Sequence, residues 1–186
     1  RRDASAYADV YGVSIDEAVR RLVLQTEIGP TNAALEAALP DRLAGVWIEH
    51  TGTFRLVAWY TVDAHGHEAV AAIAEQAPLP VEIRTGASNT LARLTGVASE
   101  IGHRFTVDDR AAGTYVDATR GTVHIDLQSD SPLGSDAPQL EVALRSEFGL
   151  PVVVTILDGV LDDGAAYGGG VYSSCTTGFS VENANE

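Results

Sequence analysis

The order hairpin, helix, strand occurs twice in this chain at a spacing near seventy residues, and that recurrence limits the folds open to it. Residues 44–50 and 54–61 are rich in β-branched and aromatic side chains, and Thr51-Gly52-Thr53 between them is short enough for a hairpin. A helix over 66–77 follows, placing Val70, Ile73 and Ala77 on one face, and then a strand over 81–85. The same order returns as a strand over 114–117, a tight turn at Thr119-Arg120-Gly121, and a strand over 122–127. A helix bearing Leu140, Leu144 and Phe148 and a strand over 152–157 complete it. Trp47 and Tyr115 are 68 positions apart, and Val81 and Val152 are 71. The pattern predicts an α+β protein of two small lobes, each an antiparallel sheet with helices on one face, in the order α-ββ-α-β.

Helices precede and separate these units. Ser14-Ile15-Asp16-Glu17 is a capping box in which Glu17 reaches back, and Ile15, Ala18, Val19 and Leu22 then share a face, so a helix is predicted over 15–27. Gly29-Pro30 stops it. Thr31 or Asn32 caps a shorter helix carrying Leu35 and Leu39 until Pro40, giving two helices before the first strand. A helix capped at Ser88, with Leu91, Leu94, Ala98 and Ile101 on one side, opens the second unit, and residues 128–138 form a surface loop. From Asp158 the hydrophobic periodicity ends and the chain reads as an extended connector. The predicted division is 1–86 for the N-terminal helices and first lobe, 87–157 for the second lobe, 158–167 for a connector, and 168–186 for a distinct terminal segment. Cys175-Thr176-Thr177-Gly178-Phe179-Ser180-Val181 in that last part reads as a strand whose partner the chain does not supply.

With 186 residues and 45% hydrophobic content the chain can bury a true core. Its net charge of −14 opposes general affinity for a phosphate backbone, so nucleic acid is not an expected partner. No run approaches the roughly 18 apolar residues of a membrane span. The chain begins with Arg1, not Met, which reads as a processed or trimmed chain. The single Cys cannot form an internal disulfide, and on composition it is either a buried or an exposed thiol.

Several features invite chemistry and have plainer readings. His65-Gly66-His67 lacks a third ligand and reads as a solvated turn, so no metal site is expected. Asp158, Asp162 and Asp163 miss the alternation of a calcium loop. Gly168 to Gly170 have no Lys and no helix after them, which fits a flexible junction better than a phosphate cradle. Glu49 with Asp63, and Glu82 with Asp117, read as surface carboxylates, and Trp47 and Trp59 as core or half-buried sheet aromatics. No cofactor is expected.

Leu43-Ala-Gly-Val-Trp-Ile-Glu-His50, followed by Phe54-Arg-Leu-Val-Ala58, resembles the hairpin that opens the pro-regions of the α-lytic protease and streptogrisin family of secreted bacterial serine proteases. Gly113-Thr-Tyr-Val-Asp117 with residues 122–127 resembles the second hairpin of those pro-regions. Gly168-Gly-Gly-Val-Tyr172 and the segment from Cys175 to Val181 are similar to the N-terminus of the mature chymotrypsin-like enzyme. The matches occur in the family's order.

The resemblance implies a secreted pro-region that catalyses folding of its attached protease, inhibits it, and is removed by proteolysis. The second lobe's hairpin would add strands to the enzyme, with Thr114, Tyr115, Thr122, His124 and Asp126 as pairing residues. Thr122, His124 and Asp126 would share one face and Val123, Ile125 and Leu127 the other. Val160, Leu161, Asp162 and Asp163 would lie in the protease cleft, with the processing junction at Asp163-Gly164. Cys175 would be the family cysteine whose disulfide partner lies elsewhere. The family's catalytic His, Asp and Ser fall beyond the equivalent of Val181, so no residue here is expected to be catalytic. A stand-alone extracellular binding or scaffold module is the alternative, and exposed strand edges leave a homodimer open.

Overall fold

The computed structural model describes residues 2–61, 67–106, 111–129, 131–157, 171–172 and 175–176, and the statements below concern these. The chain forms two compact units, Arg1–Thr90 and Leu91–Glu186. Each holds a three-stranded sheet, so the α+β architecture of two small sheet lobes is as the pattern predicts. The boundary falls a few residues later than predicted because Ala87 belongs to the first unit. It is 7% exposed, and its N–H donates to the Tyr60 carbonyl at 3.1 Å.

The first unit runs α1 (Arg2–Tyr11), α2 (Ile15–Glu27), α3 (Gly29–Ala38), β1 (Leu43–Glu49), β2 (Arg55–Tyr60), α4 (Glu68–Gln76) and β3 (Val81–Arg84). Three helices precede the first strand, where two were predicted. α1 buries Ala4, Tyr7 and Ala8, the spacing of one helical face, and ends at Gly12, whose φ of 64° suits a residue without Cβ. Ser14 caps α2 by accepting the Glu17 N–H at 3.2 Å. Glu17 does not reach back to complete the box. Its carboxylate is taken at 2.7 Å by both Arg20 and Arg21, and a charge-assisted pair outweighs a neutral amide as partner. α3 begins at Gly29, earlier than predicted, because Pro30 sits in its first turn, where a missing N–H costs nothing. Its Leu35 carbonyl lies among the last four of the helix, and the Tyr60 hydroxyl donates to it at 3.2 Å.

The second unit runs α5 (Leu91–Thr106), β4 (Ala111–Asp117), β5 (Thr122–Gln128), α6 (Ala137–Phe148) and β6 (Val152–Leu157). α5 starts three residues after Ser88. Its Leu94, Ala98, Ile101 and Phe105 pack with Val116, Val123, Ile125, Leu127, Leu144 and Val152 into one core. Both helices therefore lie on the sheet face that carries Val123, Ile125 and Leu127. Gly149 ends α6 at φ 63°, its N–H returning to the Arg145 carbonyl.

Both sheets are mixed, and the prediction of antiparallel sheets is corrected in that respect. β1 pairs antiparallel with β2, and β2 parallel with β3; β4 pairs antiparallel with β5, and β5 parallel with β6. A helix between two neighbouring strands carries the chain back to the end it left, which makes the second strand parallel. The two sheets match pair by pair. A register shift precedes Gly45 in one and Gly113 in the other, and Trp47 and Tyr115 each follow two residues later. Val81 and Val152 each open the parallel ladder, opposite Leu56 and Val123.

α5 approaches β4 most closely at Gly102, where a Cβ would stand 2.8 Å from Thr114 Oγ1. Gly102→Ala is expected to cost about 1–3 kcal/mol, the usual penalty for overfilling a packed contact. Thr114→Ala in the same chain should recover most of it. Urea unfolding of the single and double variants measures both, and equal midpoints for the two would refute the steric account.

Residues 171–172 and 175–176 form a two-stranded antiparallel pair, β7 (Val171–Tyr172) with β8 (Cys175–Thr176). The strand at Cys175 was predicted to lack a partner in the chain. It has one, because a hairpin needs only neighbouring residues, but neither β7 nor β8 joins the three-stranded sheets. Among the described residues no helix is long and apolar enough to cross a membrane.

Candidate functional site

The hydrogen-bond direction of β5 determines which groups of the second sheet are left for a partner. The Val123 N–H donates to Pro151 O beside β6, so Val123, Ile125 and Leu127 turn their backbone toward β6. The alternate residues Thr122, His124 and Asp126 turn theirs toward β4, where they face Asp117, Tyr115 and Gly113. The N–H and C=O of Thr114 and Val116 consequently point out of the sheet edge. β7 comes near β4, yet among the described residues no strand is laddered onto that edge.

The opposite edge is closed. Val152, Val154 and Ile156 turn their backbone away from β5, and α6 meets them with side chains. Glu141 accepts the Val154 N–H at 3.0 Å, and Arg145 donates Nε to the Val152 carbonyl at 2.7 Å. The two side chains are joined by a 2.8 Å ion pair. A strand that sought this edge would first have to displace them. β4 is the edge at which the sheet can grow. β5 is the central strand, so Thr122, His124 and Asp126 can present side chains to an added strand but not ladder hydrogen bonds.

The sheet face away from the helices carries Tyr115, His124 and Asp126. Tyr115 and His124 stack with centroids 4.9 Å apart and planes at 12°. Thr114 instead turns to α5, as its approach to Gly102 shows, and Thr122 is 8% exposed. The predicted group therefore keeps Tyr115, His124 and Asp126 on the outer face, with Thr122 on the same side but buried at the start of β5, and Thr114 on the helix side. His124 Nε2 is buried with no hydrogen-bond partner among the described residues. Burial also raises the Asp126 carboxyl above its ordinary 3.8, with His124 opposing by less, and burial raises the Tyr115 hydroxyl likewise. A folded chain seldom keeps such polar groups half-satisfied without a use for them.

Asp126 supplies a direct check. A carboxyl whose folded value is raised favours folding below its unfolded value and loses that advantage as pH climbs through the raised value. Asp126→Asn is expected to have a higher unfolding midpoint than the wild type at pH 7, with the difference closing toward pH 3. Thermal melts across that range measure it, and a variant less stable at pH 7 would show that the ionised group is welcome in the fold.

The matching face of the first lobe carries a network of ion pairs. Trp47 and Trp59 meet edge to face at 6.3 Å, and the Arg84 guanidinium lies 5.4 Å over Trp47. Arg84 bridges Glu49 at 3.0 Å and Glu82 at 2.6 Å, and Arg55 reaches Glu82 at 2.8 Å. These pairs hold the Glu82 carboxyl below its ordinary value, Arg84 contributing most. The two Trp residues thus lie half-buried on an outer face, and Glu49 and Glu82 serve as ion-pair partners. Each such pair is exposed enough to be worth little alone. Arg55 Nε, though 2.8 Å from Glu82, makes no aligned hydrogen bond.

Sequence reasoning missed a cluster at the other end of the first lobe, formed by Tyr7, Tyr11, Arg21, His50 and Phe54. Its signal was the aromatic spacing Tyr7 to Tyr11 in a helix that was not predicted. Val160, Leu161, Asp162, Asp163 and Gly164 lie outside the described residues, as do His65 and Asp63. His67 stands at the start of α4 without capping it through its side chain. Cys175 has its backbone in β8, beside Tyr172. Among the described residues no group of His, Cys, Asp or Glu is arranged to hold a metal ion. No family model matches this chain, and no curated protein matches it.

Proposed function

We propose that this chain is the pro-region of a secreted chymotrypsin-like serine protease, acting as its folding catalyst and inhibitor and hydrolysing nothing itself. The observation that carries the reading is the asymmetry of the second sheet, with β4 presenting Thr114 and Val116 at an open edge while Glu141 and Arg145 close the edge of β6. One growing edge, flanked by an outer face on which His124 Nε2 has no hydrogen-bond partner among the described residues and burial raises the Asp126 carboxyl, suits a partner that contributes a hairpin. The likeness of residues 43–58, 113–127 and 168–181 to the α-lytic protease and streptogrisin precursors supports the same partner. A double β-barrel protease is rich in non-local contacts and folds slowly, so a template that binds its half-formed hairpin lowers the barrier. On this reading Val160 to Asp163 enter the cleft after cleavage near Asp163-Gly164, and Cys175 pairs with a cysteine of the enzyme.

The test is to dilute an unfolded bacterial protease of this type from guanidinium into buffer with and without the full chain, and to assay peptidase activity. More active enzyme with the chain, together with inhibition of the mature enzyme, is the expected result. A chain that does neither returns the stand-alone binding module to first place.

A further inference from the structure

α1 and α2 share a small core of their own, with Ala4, Tyr7, Ala8 and Ala18 buried and Tyr11, Val13 and Leu22 packed around them. This helical pair is tied to the β1–β2 hairpin through His50. The Tyr7 hydroxyl lies 2.7 Å from His50 Nδ1, the Tyr11 ring stacks on the imidazole at 4.8 Å, and Phe54 flanks it at 5.7 Å. Arg21, 7% exposed, donates Nη1 to the His50 carbonyl at 2.9 Å and Nε to Glu17 at 2.7 Å, and lies 5.0 Å over the Phe54 ring. The Tyr7 hydroxyl can donate to Nδ1 or accept from it, so either tautomer of a neutral imidazole makes this bond.

A protonated His50 does not fit this arrangement. The Tyr7 hydroxyl could then only accept from Nδ1, and the ring would become a second cation against Arg21. The carboxylates within reach are already engaged. Glu17 is shared by Arg20 and Arg21, and Glu49 is paired with Arg84 and, at 3.7 Å, with Arg55. Tyr7 and Tyr11, the groups that face His50 from α1, bring no negative charge at neutral pH.

We propose that the α1–α2 pair is an acid-released clasp, in which a proton taken up by His50 sets a second cation beside Arg21 in the aromatic cluster and loosens both helices from the first β-hairpin. Burial, with Arg21 adding to it and Glu49 opposing, holds His50 below its ordinary 6.5. Because the docked state disfavours the proton, docking is at full strength above 6.5 and weakens as pH falls below that value toward the depressed one. A single proton changes the docking equilibrium by at most about tenfold per pH unit in that window.

Hydrogen–deuterium exchange of the full chain at pH 7.5 and 5.0, corrected for intrinsic rates, tests the clasp. The α1 and α2 amides are expected to exchange about tenfold faster at pH 5.0 while those of β2 hold their protection. His50→Asn keeps an acceptor for Tyr7 but cannot titrate, so its helices should exchange alike at both pH values. Unchanged helices in the wild type, a rise shared equally by β2, or a variant that keeps the full pH response would each overturn the proposal. Should His50→Asn fail to fold, NMR titration of the wild-type imidazole decides. A midpoint below 6.5 tracked by the α1 amide shifts supports the clasp, and one at or above 6.5, or α1 shifts that ignore it, rejects it.

Discussion

On the proposed pro-region reading, Thr114→Pro is expected to weaken inhibition of the protease by about a hundredfold or more and to remove the gain in refolded enzyme, while the second lobe stays folded. The Thr114 N–H points out of the sheet, since the ladder bonds to β5 are made by its neighbours Gly113 and Tyr115. Proline at an outward-facing edge position takes nothing from the existing sheet, but it deletes a donor and sets its ring where an added strand must lie. One lost ladder bond is worth about 1 kcal/mol. Steric exclusion of the strand adds enough to reach the 2.7 kcal/mol or so that corresponds to a hundredfold. Ile156→Pro places the same lesion on the outward edge of β6, where α6 already covers Val152 and Val154, and should change inhibition little. Circular dichroism of both variants reports the fold, and residual inhibition is read by titration against mature enzyme. If Ile156→Pro abolishes inhibition and Thr114→Pro spares it, the partner joins the other edge and the assignment of β4 is wrong.

How much of this was legible beforehand depends on how local each feature is. The limits of α2 and β6 follow from short-range signals: the Ser14 hydroxyl at one end of the helix, and an unbroken β-branched run after Pro151 in the strand. The repeat was legible because hairpin and helix periodicities return in the same order, and the matching registers at Gly45 and Gly113 give it a structural basis. The sense of β3 and β6 was misread even though the intervening helices imply it. The open face of the first lobe was illegible for a different reason. Leu56, Val57 and Ala58 are all fully buried, so β2 has no inside–outside alternation from which to place Trp59 or Arg55. The contacts of Glu49, Arg84 and Glu82 then depend on cross-strand register, which residue types alone do not specify. α1 offered Ala4, Tyr7, Ala8 and Tyr11 at helical spacing, but two alanines make a weak stripe and no cap marks its start. Without α1, the cluster around His50 had no second wall.

Ile125→Ala is expected to carry the largest stability cost in the second lobe, about 2–5 kcal/mol, the range for emptying a fully buried branched side chain. Ile125 is wholly buried on the central strand, with its backbone committed to β6 and its side chain among those of α5 and α6. Four covering residues, Leu94 and Ile101 on α5, Leu144 on α6 and Val152 on β6, are themselves at most 2% exposed, so no single side chain can swing in to fill the space. Ordinary domains are stable by about 5–15 kcal/mol, so a lesion of this size removes a large share of the lobe's margin. Tryptophan fluorescence is the wrong probe, because Trp47 and Trp59 both lie in the first unit. Exchange of the β5 amides is the right one, and faster exchange there should accompany a fall in the urea midpoint of the far-ultraviolet signal. Ile125→Val removes one methylene and should cost about 0.5–1.5 kcal/mol. Equal losses from the two substitutions would mean that the void collapses, and that the core around β5 is looser than the burial of Leu94, Ile101 and Leu144 implies.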